Sequence, residues 1–313
     1  MVEITQKMHK DPVSEVLYRL NVNSEIEVKL LDRAFDLILS KPKSPVRDIQ
    51  LGSILVGIIS KGPKTEEVAS LLRSAFKLDN FNPNNKHEII LPEGELLVGA
   101  IGSGKKGVKT MNISTPALIT AASLGVYTVK IASSATSSLT GSSDFLRAVG
   151  MNLDLPVEKM EKVVLNTNFG AFVVEGLIPK FDAVYAKKFY APHALSFGLA
   201  ALVSPIKFDN LLYGLAHPNV DLCVDVLNEF KMKNVMVAST THDGIHYLDE
   251  MGIYGITKIK GIRNGEIGKT KKFNPIVDLK LRVYGPDDIS EGENKVKNIK
   301  LAVDVLVEVC SKW

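Results

Sequence analysis

The sequence predicts an α/β protein in which a small N-terminal all-α domain precedes a larger α/β domain with a mainly parallel central sheet. Residues 12–79 carry apolar side chains at helical spacing, interrupted by short breaks. After residue 96, short β-rich runs alternate with helical runs, which is typical of parallel strands connected by helices. We therefore predict an α-domain over residues 1–79, joined by helices from 157–190, and an α/β domain over residues 80–313.

The N-terminal helices have recognisable starts and breaks. Ser24 and Glu27 form a capping-box pattern ahead of a helix whose apolar positions continue to Leu39. Prolines within 41–45 break that helix, and the glutamates that follow Thr65 suit the N-terminus of a later one. The predicted helices of this part cover 28–39 and 49–59, and a third starts at residue 65.

The alternating part of the chain contains an ordered set of strands and helices. Apolar, β-rich runs predict strands at 96–101, 126–131, 210–215, 234–239, 258–262 and 276–281. Helical patterns predict helices at 116–124, 141–149, 157–175, 219–230 and 292–310. The sequence shows no internal repeat and no low-complexity segment.

The composition is that of an ordinary globular protein, with 45% hydrophobic and 23% charged residues in a chain of 313. Its net charge of +3 is too small to indicate nucleic acid or a membrane by itself. Cys223 and Cys310 supply neither a disulfide framework nor a metal-ligand spacing. The first residues lack the apolar core of a signal peptide, and no apolar run approaches the ~18 residues that span a bilayer. We therefore expect a cytoplasmic protein.

A glycine-rich segment, residues 102–115, lies between a predicted strand and a predicted helix. Glycine lets backbone amides approach an anion closely, and the N-terminus of the following helix adds unpaired N–H groups. The segment ends in Asn-x-Ser-Thr, whose amide and hydroxyls can bind phosphate oxygens or a metal bridging them. A plain chain reversal is the alternative, and Asn112 and Ser114 also suit a helix cap. Capping and phosphate binding use the same free amides, so the pattern predicts an anion site.

Four further segments accompany this loop in order: residues 50–68, 130–150, 210–218 and the Leu-Asp-Glu at 248–250. Together the five segments resemble the anthranilate phosphoribosyltransferases, a family that shares its fold with the pyrimidine-type nucleoside phosphorylases. The resemblance covers most of residues 24–313. It implies transfer of a phosphoribosyl group from phosphoribosyl pyrophosphate to a nucleophile, with Mg²⁺ as cofactor and pyrophosphate as the leaving group.

The resemblance also implies which residues bind substrate and metal, while it assigns no catalytic residue. Mg²⁺ would be held by Asp249 and Glu250, with Ser114 as a further ligand, because magnesium prefers hard oxygen ligands. The small and apolar residues Gly52, Ser53, Val56 and Gly57 would pair two subunits into a homodimer. The residues implied to bind the sugar phosphate are Gly102, Ser103, Gly104, Lys106, Thr110, Asn112, Ser114, Thr115 and Lys130.

The sequence departs from the family pattern in three places. Lys105-Lys106 replaces a Gly-Asp pair, and residues 131–134, Ile-Ala-Ser-Ser, replace a His-Gly-Asn-Arg that helps to form the acceptor pocket. No arginine occurs between Arg147 and Arg263, the interval in which the family places the arginine that binds the anthranilate carboxylate. Lys187, Lys188 or Lys207 could substitute only as a point charge. We therefore expect an acceptor other than anthranilate.

Two alternatives to this transferase stay open. A non-catalytic relative could bind nucleic acid through the lysines of a basic cleft, whereas the carboxylates of Asp249 and Glu250 favour the enzyme. A nucleoside phosphorylase is a weaker alternative. The histidines at 193, 217, 242 and 246 fit no compact metal motif, so we interpret them as loop residues. The lysines considered for nucleic acid are Lys105, Lys106, Lys109, Lys269, Lys271 and Lys272.

Overall fold

Between residues 11 and 78, four helices follow one another in the computed structural model, which describes residues 11–135 and 138–311. Each buries one apolar face, as the helical spacing predicts, and α1 and α3 are capped by Asp11 and Ser44. The capping box predicted at Ser24 and Glu27 is wrong, because Glu27 itself is the N-cap and its side chain makes no capping hydrogen bond. The helices span Pro12–Asn21 (α1), Val28–Ser40 (α2), Pro45–Lys61 (α3) and Thr65–Leu78 (α4).

In the described part of the chain, nine strands form one mixed sheet with the order β3-β2-β1-β4-β5-β7-β8. The first five strands of that order are parallel, whereas β7 runs antiparallel to β5, and β6 and β9 pair at the side with β5 and β7. The strands are Leu97–Gly102 (β1), Tyr127–Ala132 (β2), Phe169–Val173 (β3), Asn210–Gly214 (β4), Val235–Thr241 (β5), Tyr247–Leu248 (β6), Ile256–Arg263 (β7), Glu266–Ile267 (β8) and Lys271–Phe273 (β9).

The remaining helices connect and cover these strands. Among them α5 packs on β2, α7 packs on β3, and α11 packs on β5 and β7. No helix in the described ranges is both long and apolar enough to cross a membrane. The helices that connect and cover the strands are Ser114–Ser123 (α5), Ser142–Ala148 (α6), Val157–Thr167 (α7), Val174–Leu177 (α8), Pro179–Tyr185 (α9), Leu199–Leu202 (α10), Val220–Glu229 (α11), Pro275–Asp278 (α12) and Lys295–Ser311 (α13), with 3-10 turns at Ala194–Phe197 and Pro286–Ile289.

The N-terminal helices and the sheet share one hydrophobic core. Phe35 of α2 and Phe76 of α4 belong to the same buried cluster as Ile131 and Tyr213 of the sheet. The turn Ala194–Phe197 contributes to this continuity, because it packs against both α3 and α4. The division at residues 79 and 80 stays a prediction.

Two predicted elements differ from the structure. The helix predicted over 157–175 ends at Asn168, which adopts a left-handed backbone with φ 59°, and the following residues form β3 beside β2. The strand predicted over 276–281 is also wrong. There Asn274 accepts hydrogen bonds from the next turn and starts the short helix α12.

The sheet reverses its winding between β1 and β4. The chain moves from β1 outward through β2 to β3 and then returns to the other side of β1 as β4. Gly102 and Gly214 lie opposite each other at the carboxyl ends of these two strands. In open α/β sheets, ligands bind outside the carboxyl ends of the strands at such a reversal. The glycine-rich loop therefore begins where the fold favours a ligand.

Candidate active site

A cleft with a volume of about 100 Å³ opens beyond the carboxyl ends of β1 and β2. It lies between the glycine-rich loop, the start of α5 and the segment 249–250 that follows β6. The fold thus brings together residues from three separate parts of the sequence. The residues singled out from the sequence that line this cleft are Gly102, Gly104, Lys106, Asn112, Ser114, Thr115, Lys130, Asp249 and Glu250.

The loop turns sharply directly after β1. Gly104 and Lys105 have successive left-handed backbones, with φ 66° and 58°. The Gly104 amide donates to Asp249 Oδ2 at 2.7 Å, and a Cβ added to Gly102 would lie 2.3 Å from the same oxygen. Glycine at 102 therefore lets the buried Asp249 carboxylate approach the backbone and hold the turn.

Lys130 and Ser114 form the floor of the cleft. The ammonium of Lys130 donates to Ser114 Oγ at 2.9 Å, and the Lys130 side chain is almost completely buried. Burial lowers the pKa of Lys130, while the charges of Glu250 and Asp249 act in the opposite direction. A buried cation beside the N-terminus of α5 suits an anionic ligand, because both attract negative charge.

Glu250 lies in surroundings that disfavour the negative charge of its carboxylate. Its carboxylate is half-buried next to Asp249, and burial together with that neighbouring charge raises the pKa of Glu250 to about 7. Lys106, Lys130 and a hydrogen bond with Ser114 only partly offset this rise. A divalent cation between the two carboxylates would relieve their repulsion.

The donor set of this site fits magnesium better than a metal that needs several protein ligands. In the described ranges, no group of three or more His, Cys, Asp or Glu side chains is arranged to hold a metal ion. Asp249, Glu250 and the Ser114 hydroxyl supply hard oxygen atoms on one cleft. Magnesium is usually bound by one or two carboxylates, with phosphate oxygens and water completing its coordination. The residues present therefore fit such an ion.

Two residues singled out from the sequence lie beside the cleft and hold its loop. Ser103 Oγ accepts from the Ala216 amide at 3.0 Å, and its own amide donates to Gly214 O at 2.8 Å, which ties the loop to β4. Thr110 is buried, bridges to Ser290 and receives a short hydrogen bond from the Lys106 ammonium. Their side chains support the cleft, and a direct contact with substrate stays a prediction.

The far wall of the cleft is fixed by two side-chain amides that donate hydrogen bonds to the same hydroxyl. Asn112 Nδ2 donates to Thr140 Oγ1 at 2.9 Å, and Asn298 Nδ2 of α13 donates to the same hydroxyl at 2.6 Å. The C-terminal helix thus restrains the Asn-x-Ser-Thr segment. Sequence inspection did not reveal this role of Asn298, since it lies 186 positions from Asn112.

A second cavity, which we call the side pocket, adjoins the cleft and also has a volume of about 100 Å³. The two share the wall formed by Gly102, Gly104, Lys105, Ser133 and Ser134. The side pocket extends away from the acid pair towards α8 and α9. It is therefore placed directly beside the cleft.

Glu175 is the residue of the side pocket that sequence reasoning missed. Its Oε1 accepts from both the amide and the hydroxyl of Ser134, at 2.6 and 2.7 Å. Its Oε2 is buried and has no hydrogen-bond partner within residues 11–135 and 138–311. The one signal in the sequence is an acid that directly follows the apolar run 169–174.

The side chain of Lys105 points away from the cleft, although its backbone belongs to the glycine-rich loop. Its ammonium donates to the Tyr185 hydroxyl at 2.6 Å, and that hydroxyl lies 3.0 Å from His193 Nε2. His193 is fully buried; burial, with a contribution from Lys105, holds its pKa well below the usual value. His193 is therefore neutral at physiological pH.

The three lysines considered as replacements for the family's arginine do not line the side pocket. Lys187 is exposed, and Lys188 forms an ion pair with Asp48 of α3 at 2.8 Å. Lys207 pairs with Glu88, also at 2.8 Å, near the protein surface. An acceptor in the side pocket thus meets no cation from these positions.

Comparison with known proteins places the chain among glycosyl transferases. A family model described as "Glycosyl transferase family, a/b domain" matches residues 94–306. An anthranilate phosphoribosyltransferase from Ruthia magnifica subsp. Calyptogena magnifica is 32% identical over 247 residues, which are 77% of this chain and 68% of that protein. The one from Streptococcus pneumoniae serotype 19F (strain G54) is 28% identical over 276 residues, 86% of this chain and 76% of that protein.

Solved structures show the same fold. Anthranilate phosphoribosyltransferase from Saccharomyces cerevisiae in complex with PRPP and Mg aligns with a TM-score of 0.72 at 17% identity, covering 93% of this chain and 80% of that one. The enzyme from Thermus thermophilus aligns with a TM-score of 0.67 at 20% identity, covering 92% and 80%. The predicted fold class, with helices and a mainly parallel sheet, is confirmed.

Proposed function

We propose that this chain, which belongs to the glycosyl transferase family of the anthranilate phosphoribosyltransferases, binds phosphoribosyl pyrophosphate with Mg²⁺ and transfers the phosphoribosyl group to an acceptor other than anthranilate. The enzyme class is thus a pentosyltransferase. The observation that carries the proposal is the convergence of Asp249, Glu250, Ser114 and Lys130 on the glycine-rich loop. These groups lie at the reversal of the sheet, where α/β folds bind ligands.

The chemistry requires the protein to stabilise a leaving group. The bond between the anomeric carbon and the pyrophosphate oxygen breaks, and its electron pair leaves with pyrophosphate, so that the sugar develops positive charge. The loop amides, the first turn of α5 and the ammonium groups of Lys106 and Lys130 bind the anion that departs. Bound Mg²⁺, held by Asp249 and Glu250 with Ser114, would neutralise pyrophosphate oxygens.

Catalysis in this site would rest on positioning. Lys130 is fixed by Ser114 and by burial, so little reorganisation is needed when the charge of the leaving group grows. Asp249 holds Gly104 and thereby the amides that face the phosphate. No side chain needs to form a covalent bond with the sugar.

The acceptor side supports an acceptor other than anthranilate. Ile131 and its neighbours replace the polar residues of the family pattern, and Glu175 and Asp182 line the side pocket. A carboxylate placed there would face these acids without an arginine. Sites that lack a needed polar contact can discriminate by several orders of magnitude.

The alternatives receive less support from the geometry. Lys105 is buried and its ammonium donates to the Tyr185 hydroxyl, so it does not extend towards a nucleic-acid backbone. Exposed lysines occur instead near β9, at Lys269, Lys271 and Lys272. Nucleic-acid binding and nucleoside phosphorolysis therefore stay the less favoured functions for this site.

The homodimer and the cytoplasmic location also stay predictions. On α3, Ser53 and Val56 are exposed, as the predicted pairing surface requires. Gly57 faces inward instead, because a Cβ there would lie 2.9 Å from Leu20 Cδ1. The pairing face, if present, would therefore be narrower than the four residues considered from the sequence.

Calorimetric titration with phosphoribosyl pyrophosphate, with and without Mg²⁺, tests the proposal. We expect binding that needs the metal, and a loss of roughly 1–3 kcal/mol in Ser114→Ala, the usual range for a hydrogen bond to a charged group. Ser123→Ala is the matched control, because it removes a hydroxyl at the other end of α5 that bonds only Thr120 O. Equal, metal-independent affinity in all three proteins would contradict the proposal.

A further inference from the structure

The charges of the side pocket favour a particular class of acceptor. Among the described residues that line it, the charged ones are Lys105, Glu175 and Asp182. The Lys105 ammonium is already bound to the Tyr185 hydroxyl at 2.6 Å and lies over that ring. Two carboxylates and one ammonium group therefore line the pocket, and the ammonium donates one of its hydrogen bonds to Tyr185.

Glu175 has capacity left for a hydrogen-bond donor. Ser134 fixes the orientation of the carboxylate through two bonds to Oε1. The buried Oε2 has no hydrogen-bond partner among the residues that the structure describes. A buried carboxylate oxygen without a donor is costly, so a ligand that donates to it recovers that cost on binding.

Asp182 adds negative charge to the same pocket. It lies on α9, is half-buried, and its pKa is raised by burial first and by the charge of Glu175 second. A donor or cation between the two acids would reduce this repulsion, whereas a carboxylate would increase it. Both acids therefore disfavour an anionic acceptor and favour one with N–H groups.

We propose, on the basis of the phosphoribosyl transfer proposed above, that the acceptor is a small amine or amidine that donates an N–H group to Glu175 Oε2 and carries no carboxylate. The reaction balances without another reactant. The lone pair of an acceptor nitrogen forms the new bond to the anomeric carbon, and the bond to pyrophosphate breaks with its electron pair on the leaving group. The nitrogen then gives up one proton, which Glu175 Oε2 can accept.

Two compounds with the same ring and the same aromatic amine test this inference. Anthranilate carries an ortho carboxylate, and 2-aminobenzylamine carries an ortho ammonium group at pH 7.5. We expect calorimetry to show at least about tenfold tighter binding of 2-aminobenzylamine, both to the free protein and to the protein saturated with phosphoribosyl pyrophosphate and Mg²⁺.

Glu175→Gln should reduce this preference at least about tenfold. The amide oxygen can still accept from Ser134, so the local fold is kept while the charge is removed. Glu158→Gln, an equal charge change at an exposed position of α7, should leave the preference unchanged. If Glu175→Gln does not fold, Asp182→Asn serves in its place, with a smaller reduction expected because Asp182 is half-buried.

The outcomes separate this inference from the proposed function. If phosphoribosyl pyrophosphate fails to bind but the preference and its loss in Glu175→Gln are seen, the side pocket is as inferred and the transfer reaction is wrong. If phosphoribosyl pyrophosphate binds but anthranilate binds as tightly or more tightly, the inference is overturned. Binding of neither compound, or a preference unchanged by Glu175→Gln, overturns it as well.

Discussion

In the cleft, which we call the phosphate side after its proposed ligand, Lys130 and Lys106 lie with the carboxylates of Asp249 and Glu250. In the side pocket, the proposed acceptor side, Lys105 donates to Tyr185, and one Glu175 oxygen has no hydrogen-bond partner in the part of the chain that the structure describes. The two sides share a wall of backbone but differ in the groups that they offer to a ligand. The phosphate side places two acids where a cation would reduce their repulsion, whereas the acceptor side has a carboxylate oxygen that can accept a hydrogen bond.

This difference bears on the proposed change of acceptor, because separate sets of contacts hold the two sides. The groups of the phosphate side are interlocked, since Asp249 holds Gly104 and Ser114 joins Lys130 to Glu250. In the side pocket, Ser134 holds Glu175 through two hydrogen bonds that involve none of these groups. We therefore expect substitutions at Glu175 to change acceptor binding while the contacts of the phosphate side stay in place.

The largest expected effect comes from removing the acid pair of the phosphate side. In Asp249→Asn with Glu250→Gln, Mg²⁺-dependent affinity for phosphoribosyl pyrophosphate should fall at least about 100-fold, because two interactions with charged groups are lost. Asn at 249 can still accept from the Gly104 amide, so the loop should remain. Calorimetry at a fixed Mg²⁺ concentration measures the loss.

Glu93→Gln with Glu95→Gln is the control, because it removes two charges at exposed positions ahead of β1. In the nucleic-acid alternative the acid pair repels the backbone, so the same double variant should bind single-stranded DNA more tightly. Stronger, salt-sensitive DNA binding with unchanged binding of phosphoribosyl pyrophosphate would refute the enzyme.

Sequence patterns singled out most residues that line the cleft but few that line the side pocket, for a physical reason. Phosphate binding needs backbone amides, glycines and a helix start, and these leave a local pattern such as residues 102–115. The side pocket depends on a chain reversal at Asn168 that creates β3 and places Glu175 beside Ser134. Nothing local to Glu175 signals that contact, which spans 41 positions.

The same contrast between local patterns and long-range contacts holds for the helices and strands. Helical spacing and β-rich runs predicted α2 to α4 and most strands, because each has an apolar face that the core must bury. The strand β3 was hidden in a helix-like stretch, since only pairing with β2 decides its conformation. At residue 274 the Asn side chain accepts hydrogen bonds from the following turn and starts a helix. The spacing of apolar residues gives no sign of this contact.

The second prediction concerns the neutral histidine beneath Lys105. Because the pKa of His193 is held well below 6.5, the unfolded chain binds a proton that the native protein does not, and stability falls as pH decreases below about 6.5. The free energy of unfolding should therefore be lower at pH 5 than at pH 7, because the unfolded chain takes up a proton at this histidine and the native protein does not. His193→Gln should remove this part of the acid sensitivity.

Urea unfolding at pH 7 and pH 5 measures the effect, and His242→Gln, at an exposed position, is the matched control. An unchanged difference between the two pH values in His193→Gln would mean that His193 is protonated in the native protein. The acceptor side would then carry a positive charge, and its contrast with the phosphate side would be smaller than described.

The smallest effect is expected from Lys105→Gly, at the residue whose backbone belongs to one side and whose side chain belongs to the other. Glycine relieves a left-handed backbone with φ 58°, which costs other residues about 1–2 kcal/mol, but the hydrogen bond to Tyr185, worth about 1 kcal/mol, is lost. The free energy of unfolding should therefore change by about 1 kcal/mol or less.

Affinity for phosphoribosyl pyrophosphate should stay within about threefold in this variant. The pKa of His193, followed by NMR, should rise only partly, because burial is the larger cause of its depression. A loss of affinity beyond about tenfold would assign Lys105 to the phosphate side, and the wall between the two cavities would then bind the leaving group as well as separate it from the acceptor.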